Sequence, residues 1–219
     1  MPLSTIEEQI DTKLPCADFA LTKPEKYALY LINKGIEYVR DNGDPRYFMT
    51  HNKLHKILFY SQMVAIYNFG IECPLFTQDI RVHICGFMVD NGVKIDGYAP
   101  GALARITMWF NGFGPYTKMD ISGFDSLLPD GKVAVSKGAK ELLDYYFLEF
   151  GSLTDDEITT MNVMTSLFQE YKDTIYDDKD NPVSKEKLSD FAIKLFGEWD
   201  GAPLDSKMLG EEAAEWITL

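Results

Sequence analysis

Two histidines one helical turn apart are the residues of this chain best suited to metal binding. His51 and His55 stand at positions i and i+4 of a segment with helical periodicity, where two imidazoles can bind one metal ion. His83 and Cys85 follow on the next element as further candidate ligands. The zinc-protease pattern requires a glutamate directly after the first histidine, but residue 52 is asparagine. We therefore predict ordinary histidines here, with no bound metal and no cofactor.

Nucleophilic catalysis and phosphate binding have little support in the sequence. The chain contains neither a G-x-S-x-G nucleophile motif nor a G-x-x-x-x-G-K-[ST] phosphate loop. His83 and Cys85 could form a thiol–imidazole pair, but no third group is evident to orient it, and a buried structural cysteine is the simpler interpretation. The acids of 155–157 could form a catalytic pair, yet acids in a first helical turn are already explained by the helix macrodipole. We predict no catalytic residue.

The histidine pair lies on the segment that the rest of the fold is expected to surround, a central helix over about residues 50–69. Thr50 is the predicted N-cap, and Gly70 is the predicted stop. An apolar stripe at helical spacing is predicted to face the core, with Leu58 on it. Its residues are Leu54, Ile57, Leu58, Ser61 and Ala65. The polar residues outside the stripe are expected to form an exposed rim, and they are Asn52, Lys53, Lys56 and Gln62.

The other elements are predicted from periodicity and turn residues. Helices are predicted over about 24–40, 98–111, 139–151, 155–168 and 184–197, and short β segments within 79–85 and 132–135. Thr154 and Glu157 form a capping-box pattern at the start of one of these helices. The buried face of that helix is expected to carry Ile158, Met161, Met164 and Phe168. The fold class is therefore mainly α, a compact helical domain around the central helix with one or two short β segments.

Composition and charge restrict the class of protein. Apolar residues make up 46% of the 219 residues and aromatic residues 13%, which is enough for a substantial core. The three cysteines form no C-x-x-C pair, so reduced thiols are expected. No apolar run is long enough for a membrane helix, and the N-terminus does not resemble a signal peptide, so we expect a cytoplasmic protein.

The acidic residues are concentrated in the last third of the chain. Residues 1–151 hold 18 acidic and 15 basic side chains, a net charge of −3, whereas residues 152–219 hold 16 and 6, a net charge of −10. Such a surface repels nucleic acid and membranes and attracts basic partners. Simple solubility also explains the charge.

The ordered motifs resemble those of the Panacea domain, a family that includes the SocA-like antitoxins. The family's central motif, T-x-x-K-L-Q-K-L-L-Y-Y-A-Q, is similar to the segment from Thr50 to Gln62. Weaker similarities are residues 28–35, which resemble the Lys-Gly signature of the family's first helix, a connection through Gly70 and 74–76, and a later helix with 140–144 and 150–151.

The resemblance covers about residues 25–165 and has departures. The family's A-W-x-x-G-P-V falls on 82–88, where both the tryptophan and the proline are replaced. The family's histidine after the capping box corresponds to Asn162. The implied organisation is an N-terminal arm (1–22), a Panacea-like helical domain (23–165) and an acidic helical extension (166–219) packed on the body.

The resemblance implies a non-enzymatic protein that neutralises a partner toxin by direct binding, and in the SocA case delivers the toxin to a protease. Two alternatives stay open: an acidic phage or mobile-element inhibitor that imitates nucleic acid and blocks a host defence nuclease, and an enzyme with an unfamiliar site. No direct contact with nucleic acid or membrane is expected. The residues expected to contact the partner are Lys53, Lys56, Tyr60, Gln62, His83, Gly86, Asp177, Asp178 and Asp180.

Overall fold

The helix over His51–Phe69, here called α2, lies at the centre of the fold. A computed structural model of the protein describes residues 22–83, 85–89, 135–172 and 182–197. In these ranges the chain is mostly helical with one two-stranded antiparallel sheet, so the predicted fold class is confirmed. The elements are α1 (Lys23–Asn42), a 3₁₀ turn (Pro45–Tyr47), α2 (His51–Phe69), β1 (Ile80–His83), β2 (Gly86–Val89), α3 (Lys137–Gly151), α4 (Asp155–Val163), α5 (Ser166–Tyr171) and α6 (Lys185–Gly197).

Local capping signals set the ends of α1 and α2, as the sequence predicts. Helix α1 ends before Gly43, whose N–H makes the last helical bond to the carbonyl of Val39 and whose positive φ of 74° turns the chain out of the helix. In α2 the Thr50 hydroxyl oxygen accepts a hydrogen bond from the Lys53 N–H at 3.1 Å, and Gly70 ends the helix.

The predicted exposed rim of α2 is wrong. Helices α1, α3, α4 and α6 and strand β2 all pack against α2, so every side chain from His51 to Ile66 is buried. Leu58 lies in the core as predicted. The polar residues are buried with it because α2 is enclosed on all sides, whereas the amphipathic pattern assumes that one face meets solvent. The buried rim residues are Asn52, Lys53, Lys56 and Gln62.

The predicted helix of 155–168 is two helices. The capping box at Thr154 is confirmed, since its N–H donates to the Glu157 carboxylate at 2.7 Å. Helix α4 ends at Val163, and α5 begins after Thr165, whose hydroxyl oxygen accepts from the Phe168 N–H at 3.3 Å. This second cap interrupts the periodicity, and Met161 and Met164 are exposed rather than on a common buried face with Ile158 and Phe168.

Strands β1 and β2 form a short hairpin beside α2. The register pairs Ile80 with Val89 and His83 with Gly86. On the far side of β1, the Val183 N–H donates to the Ile80 carbonyl at 2.8 Å, which joins the approach to α6 to the hairpin. Strand β2 is buried throughout. The strand predicted within 79–85 is therefore confirmed at β1.

Several predictions fall on residues outside the described ranges. They are the N-terminal arm apart from Thr22, the helix over 98–111, the strand over 132–134, the end of the C-terminal extension from 198, and the acids Asp177, Asp178 and Asp180. None of the helices in the ranges given above combines the length and the apolar character needed to cross a membrane.

Candidate functional site

The buried polar side chains of α2 form the most unusual group in the protein, and we call them the α2 polar cluster. Its members are the imidazole, amide and ammonium side chains of His51, Asn52, Lys53, His55, Lys56 and Gln62, and the small Ser61 is buried as well. Buried polar groups are costly unless they are hydrogen-bonded, and buried charges more so. Most of the bonds described below join these side chains to the backbone of a neighbouring element. The cluster therefore fastens the surrounding elements to α2.

Lys53 joins α2 to the 3₁₀ turn and to the end of α3. Its ammonium donates to the carbonyl of Arg46 at 2.5 Å and to the carbonyl of Gly151 at 2.9 Å. Gly151 is the last residue of α3, where carbonyls carry the negative end of the helix dipole. A buried cation held by two carbonyls stabilises the fold. The predicted contact with a partner requires an exposed side chain, and Lys53 is buried.

Lys56 is fully buried and holds the hairpin. Its Nζ donates to the carbonyl of Phe87 at 2.8 Å. Burial lowers the pKa of Lys56 to about 7, against smaller opposing effects of Cys85 and Asp155. An amine with a pKa near 7 can act as a nucleophile, but this side chain has no exposed surface for a substrate to reach. Its role is therefore structural, because it holds β2 against α2.

Gln62 and Tyr60 are also internal. The Gln62 amide donates to the carbonyl of Phe76 at 3.0 Å and accepts from the N–H of the same residue at 3.2 Å, as a paired strand would. Tyr60 packs against Phe150, with 5.0 Å between ring centroids, and burial raises the pKa of its hydroxyl. Neither side chain offers a surface to a partner.

The two histidines of the cluster contact each other directly. His51 Nε2 and His55 Nε2 are 3.0 Å apart, and His55 Nδ1 accepts a hydrogen bond from the Val89 N–H at 3.1 Å. Burial lowers the pKa of His55 well below its usual value, and the nearby His51, Lys56 and His83 lower it further. Among the residues that the structure describes, no three candidate ligands are grouped to hold a metal ion. That the pair binds no metal stays a prediction.

His83 and Gly86, both predicted partner contacts, lie in the hairpin. His83 is half-buried, and its Nδ1 accepts from the Cys85 N–H at 3.4 Å. Gly86 has a φ of 99°, and a Cβ there would lie 2.1 Å from Asn162 Oδ1. The glycine is therefore required by the close approach of α4.

Asn162 is a site residue that the sequence analysis noted only as a departure from the family motif, without a role. Its side-chain oxygen accepts from the Phe87 N–H at 2.6 Å, so α4 holds the same strand that Lys56 holds from α2. The available signal was position, because Asn162 stands four residues after the buried Ile158 and thus shares its helix face.

The acids at the start of α4 act as caps. The Thr50 hydroxyl donates to Asp155 Oδ1 at 2.5 Å, which links the N-termini of α2 and α4, and Glu157 caps Thr154. Burial raises the pKa of Asp155, and the bond from Thr50 partly offsets this. A cavity of about 290 Å³ opens beside this contact, lined in part by Arg46, Lys53 and Thr154. Of the acids considered for catalysis, Glu157 therefore caps α4, and Asp155 holds the N-cap residue of α2.

In contrast to the buried polar side chains of α2, several large apolar side chains are exposed to solvent. Met161 is 44% exposed, Met164 74%, Ile193 on α6 57% and Leu148 on α3 54%. A groove of about 260 Å³ runs between α5 and α6 and is lined by apolar and charged side chains. Its lining residues are Ser166, Leu167, Glu170, Lys187, Asp190, Phe191, Ile193 and Lys194.

Comparisons of the chain with models of protein families, with curated proteins and with solved structures gave no match.

Proposed function

We propose that this chain is a non-enzymatic protein-binding module related to the Panacea domain, an antitoxin that neutralises a partner toxin protein by direct binding. The proposal starts from the motif residues and adds their arrangement in space. The proposed contact surface is not on α2, because the α2 side chains that the sequence predicted to contact the partner are buried.

The observation that carries the proposal is the convergence of three separate motif segments on one turn. A Cβ on Gly35 would lie 2.6 Å from the Tyr47 carbonyl oxygen, and a Cβ on Gly151 would lie 2.6 Å from the Tyr47 ring. Lys53 binds the carbonyls of Arg46 and Gly151. Residues that match the family at distant positions thus cooperate in one packing arrangement. This supports common architecture, from which the antitoxin function is inferred.

The contact surface that fits a protein partner best is the α5–α6 surface, which we define as the groove between the two helices, with the exposed Ile193 in its lining, together with the exposed Met164 just before α5. Leu167 and Phe191 form the buried floor of the groove. Exposed apolar side chains are typical of protein interaction sites, and Ile193 belongs to the lining of the groove. Methionine is suited to such a site because its flexible, polarizable side chain adapts to the partner.

Charge supports a basic partner. The last third of the chain, which includes α5 and α6, has a net charge of −10. The charges that line the groove cancel, with Lys187 and Lys194 against Glu170 and Asp190, so the excess acids lie elsewhere in residues 152–219. Attraction to those acids raises the association rate of a basic protein, and salt weakens the effect.

The experiment begins with co-expression of the chain and the product of its neighbouring gene. We expect a small protein that inhibits growth alone and is harmless with this chain, and a purified complex of the two. Met164→Asp and Ile193→Asp should each weaken that complex at least tenfold in surface plasmon resonance. Leu148→Asp is the matched control, since Leu148 is similarly exposed on α3 and should leave the affinity unchanged.

Three outcomes would contradict the proposal in different ways. Unchanged affinity in both aspartate variants would reject the α5–α6 surface. A neighbouring protein that is not toxic, or toxicity that the chain does not relieve, would reject the antitoxin function. Recovery of a defence nuclease that the chain inhibits would favour the acidic inhibitor instead.

A further inference from the structure

The outer edge of strand β2 is held by side chains. One edge of β2 pairs with β1. On the other edge, Phe87 donates its N–H to Asn162 and accepts at its carbonyl from Lys56, and Val89 donates its N–H to His55 Nδ1 at 3.1 Å. Three side chains thus replace a third strand, and the docking of the hairpin depends on the state of those side chains.

The geometry fixes the proton positions on both histidines. His55 Nδ1 accepts a hydrogen bond, so it carries no proton, and a neutral His55 carries its proton on Nε2. That Nε2–H faces His51 Nε2 at 3.0 Å, which must therefore be the acceptor. A neutral His51 then carries its proton on Nδ1.

A further proton on either imidazole disrupts one of these two hydrogen bonds. On His51 Nε2 it would point at the His55 Nε2–H, and on His55 Nδ1 it would point at the Val89 N–H. In each case a hydrogen bond is replaced by a repulsive contact between two N–H donors. We propose that the His51–His55 pair is a proton-operated latch, which holds the β1–β2 hairpin on α2 while both imidazoles are neutral and releases it when either is protonated.

The groups around the latch come from three parts of the fold. Lys56 lies on α2 beside His55, His83 lies on β1, and Cys85 lies in the hairpin turn. From α4, Asp155 faces the same region and is bonded to Thr50. Lys56 and His83 add positive charge near His55, so they oppose its protonation together with burial, and they strengthen the preference of the docked hairpin for the neutral pair.

The direction of the pH effect follows. In the released hairpin a histidine regains an ordinary pKa of about 6.5, whereas in the docked state the pKa of His55 is depressed. The released state therefore binds more protons, so docking weakens as pH falls through about 6.5. For one histidine the released population should rise about tenfold between pH 7.5 and pH 5.5.

Nuclear magnetic resonance of the full chain tests the proton positions. At pH 7.5 the imidazole nitrogen shifts should place the proton of His51 on Nδ1 and that of His55 on Nε2. The opposite tautomers, or a doubly protonated His51 at that pH, would overturn the proposal.

Hydrogen exchange tests the release. Peptides covering 80–89 should lose protection at least tenfold more than peptides covering α3 as pH falls from 7.5 to 5.5, after correction for the chemical exchange rate. Hairpin protection that does not change with pH, or that falls in parallel with α3, would overturn a local latch.

Two variants assign the effect to the pair. His51→Gln keeps an acceptor for the His55 Nε2–H and removes one titrating group, so the pH effect should shrink at least threefold. His83→Gln is the matched control and should retain the full effect. The reverse pattern would assign the titration to His83 and reject the latch, and the wild-type measurements decide the question if His51→Gln does not fold.

Discussion

Helix α2 and the segment from α4 to α6 differ in where they place polar and apolar side chains. In α2, two lysines, two histidines, an asparagine and a glutamine are buried. From α4 to α6, Met161, Met164 and Ile193 are exposed. The difference shows that the polarity of a side chain does not by itself decide its burial here. The number of elements packed around each helix decides it, because α2 is enclosed on all sides and α5 and α6 lie beside an open groove.

The largest effect should come from truncation inside the enclosed helix. Leu58→Ala should lower the free energy of unfolding by about 2–5 kcal/mol, because Leu58 is fully buried and the variant leaves a cavity. Met164→Ala removes a side chain that is mostly exposed and should change it by less than about 0.5 kcal/mol. Denaturant melts measure both. Equal losses of unfolding free energy in the two variants would show that the two regions do not differ in how much a buried or exposed side chain stabilises the fold.

The second prediction compares a buried lysine of α2 with an exposed lysine of α6. Lys53→Met should cost about 3 kcal/mol, because it leaves the carbonyls of Arg46 and Gly151 without their charged donor. Lys187→Met removes an exposed ion pair with Glu170 on the α5–α6 surface and should have no measurable effect. A Lys53→Met variant as stable as the wild type would show that the buried anchor does not support the fold.

The third prediction concerns the pH dependence that Lys56 gives to stability. The pKa of Lys56 is about 7 in the folded protein and returns to an ordinary value near 10.5 on unfolding. Between these values the unfolded chain binds more protons, so the free energy of unfolding should rise with pH by up to about 1.4 kcal/mol per unit. Melts between pH 7.5 and 9 should show this slope, and Lys56→Met should abolish it. The same slope in the variant would assign it to another group.

The smallest expected effect is that of zinc. His51 and His55 are hydrogen-bonded to each other, so added zinc should leave the melting temperature unchanged, as should treatment with a chelator. Protein purified without a histidine tag should contain well under one zinc per chain. A stoichiometric zinc content that a His51→Gln variant loses would show that the pair is a metal site.

The candidate site was only partly predictable from sequence. Lys53, Lys56 and Gln62 were singled out because they match a family motif and lie outside the apolar stripe, and the structure shows that they do have specific partners. Those partners are backbone carbonyls and N–H groups, which the sequence does not distinguish from one another. The importance of Asn162 was missed for the same reason, because its partner is the backbone of a strand 75 residues away.

The sequence by itself determined the local features: the ends of α1 and α2, the capping box at Thr154, the start of α6 and the mainly helical class. These depend on contacts within a few residues, such as a threonine oxygen that accepts from an N–H three positions later. The tertiary structure decided which faces meet solvent. It buried the polar residues of α2 and exposed Met164, because burial depends on the elements that surround a helix and no local pattern specifies them.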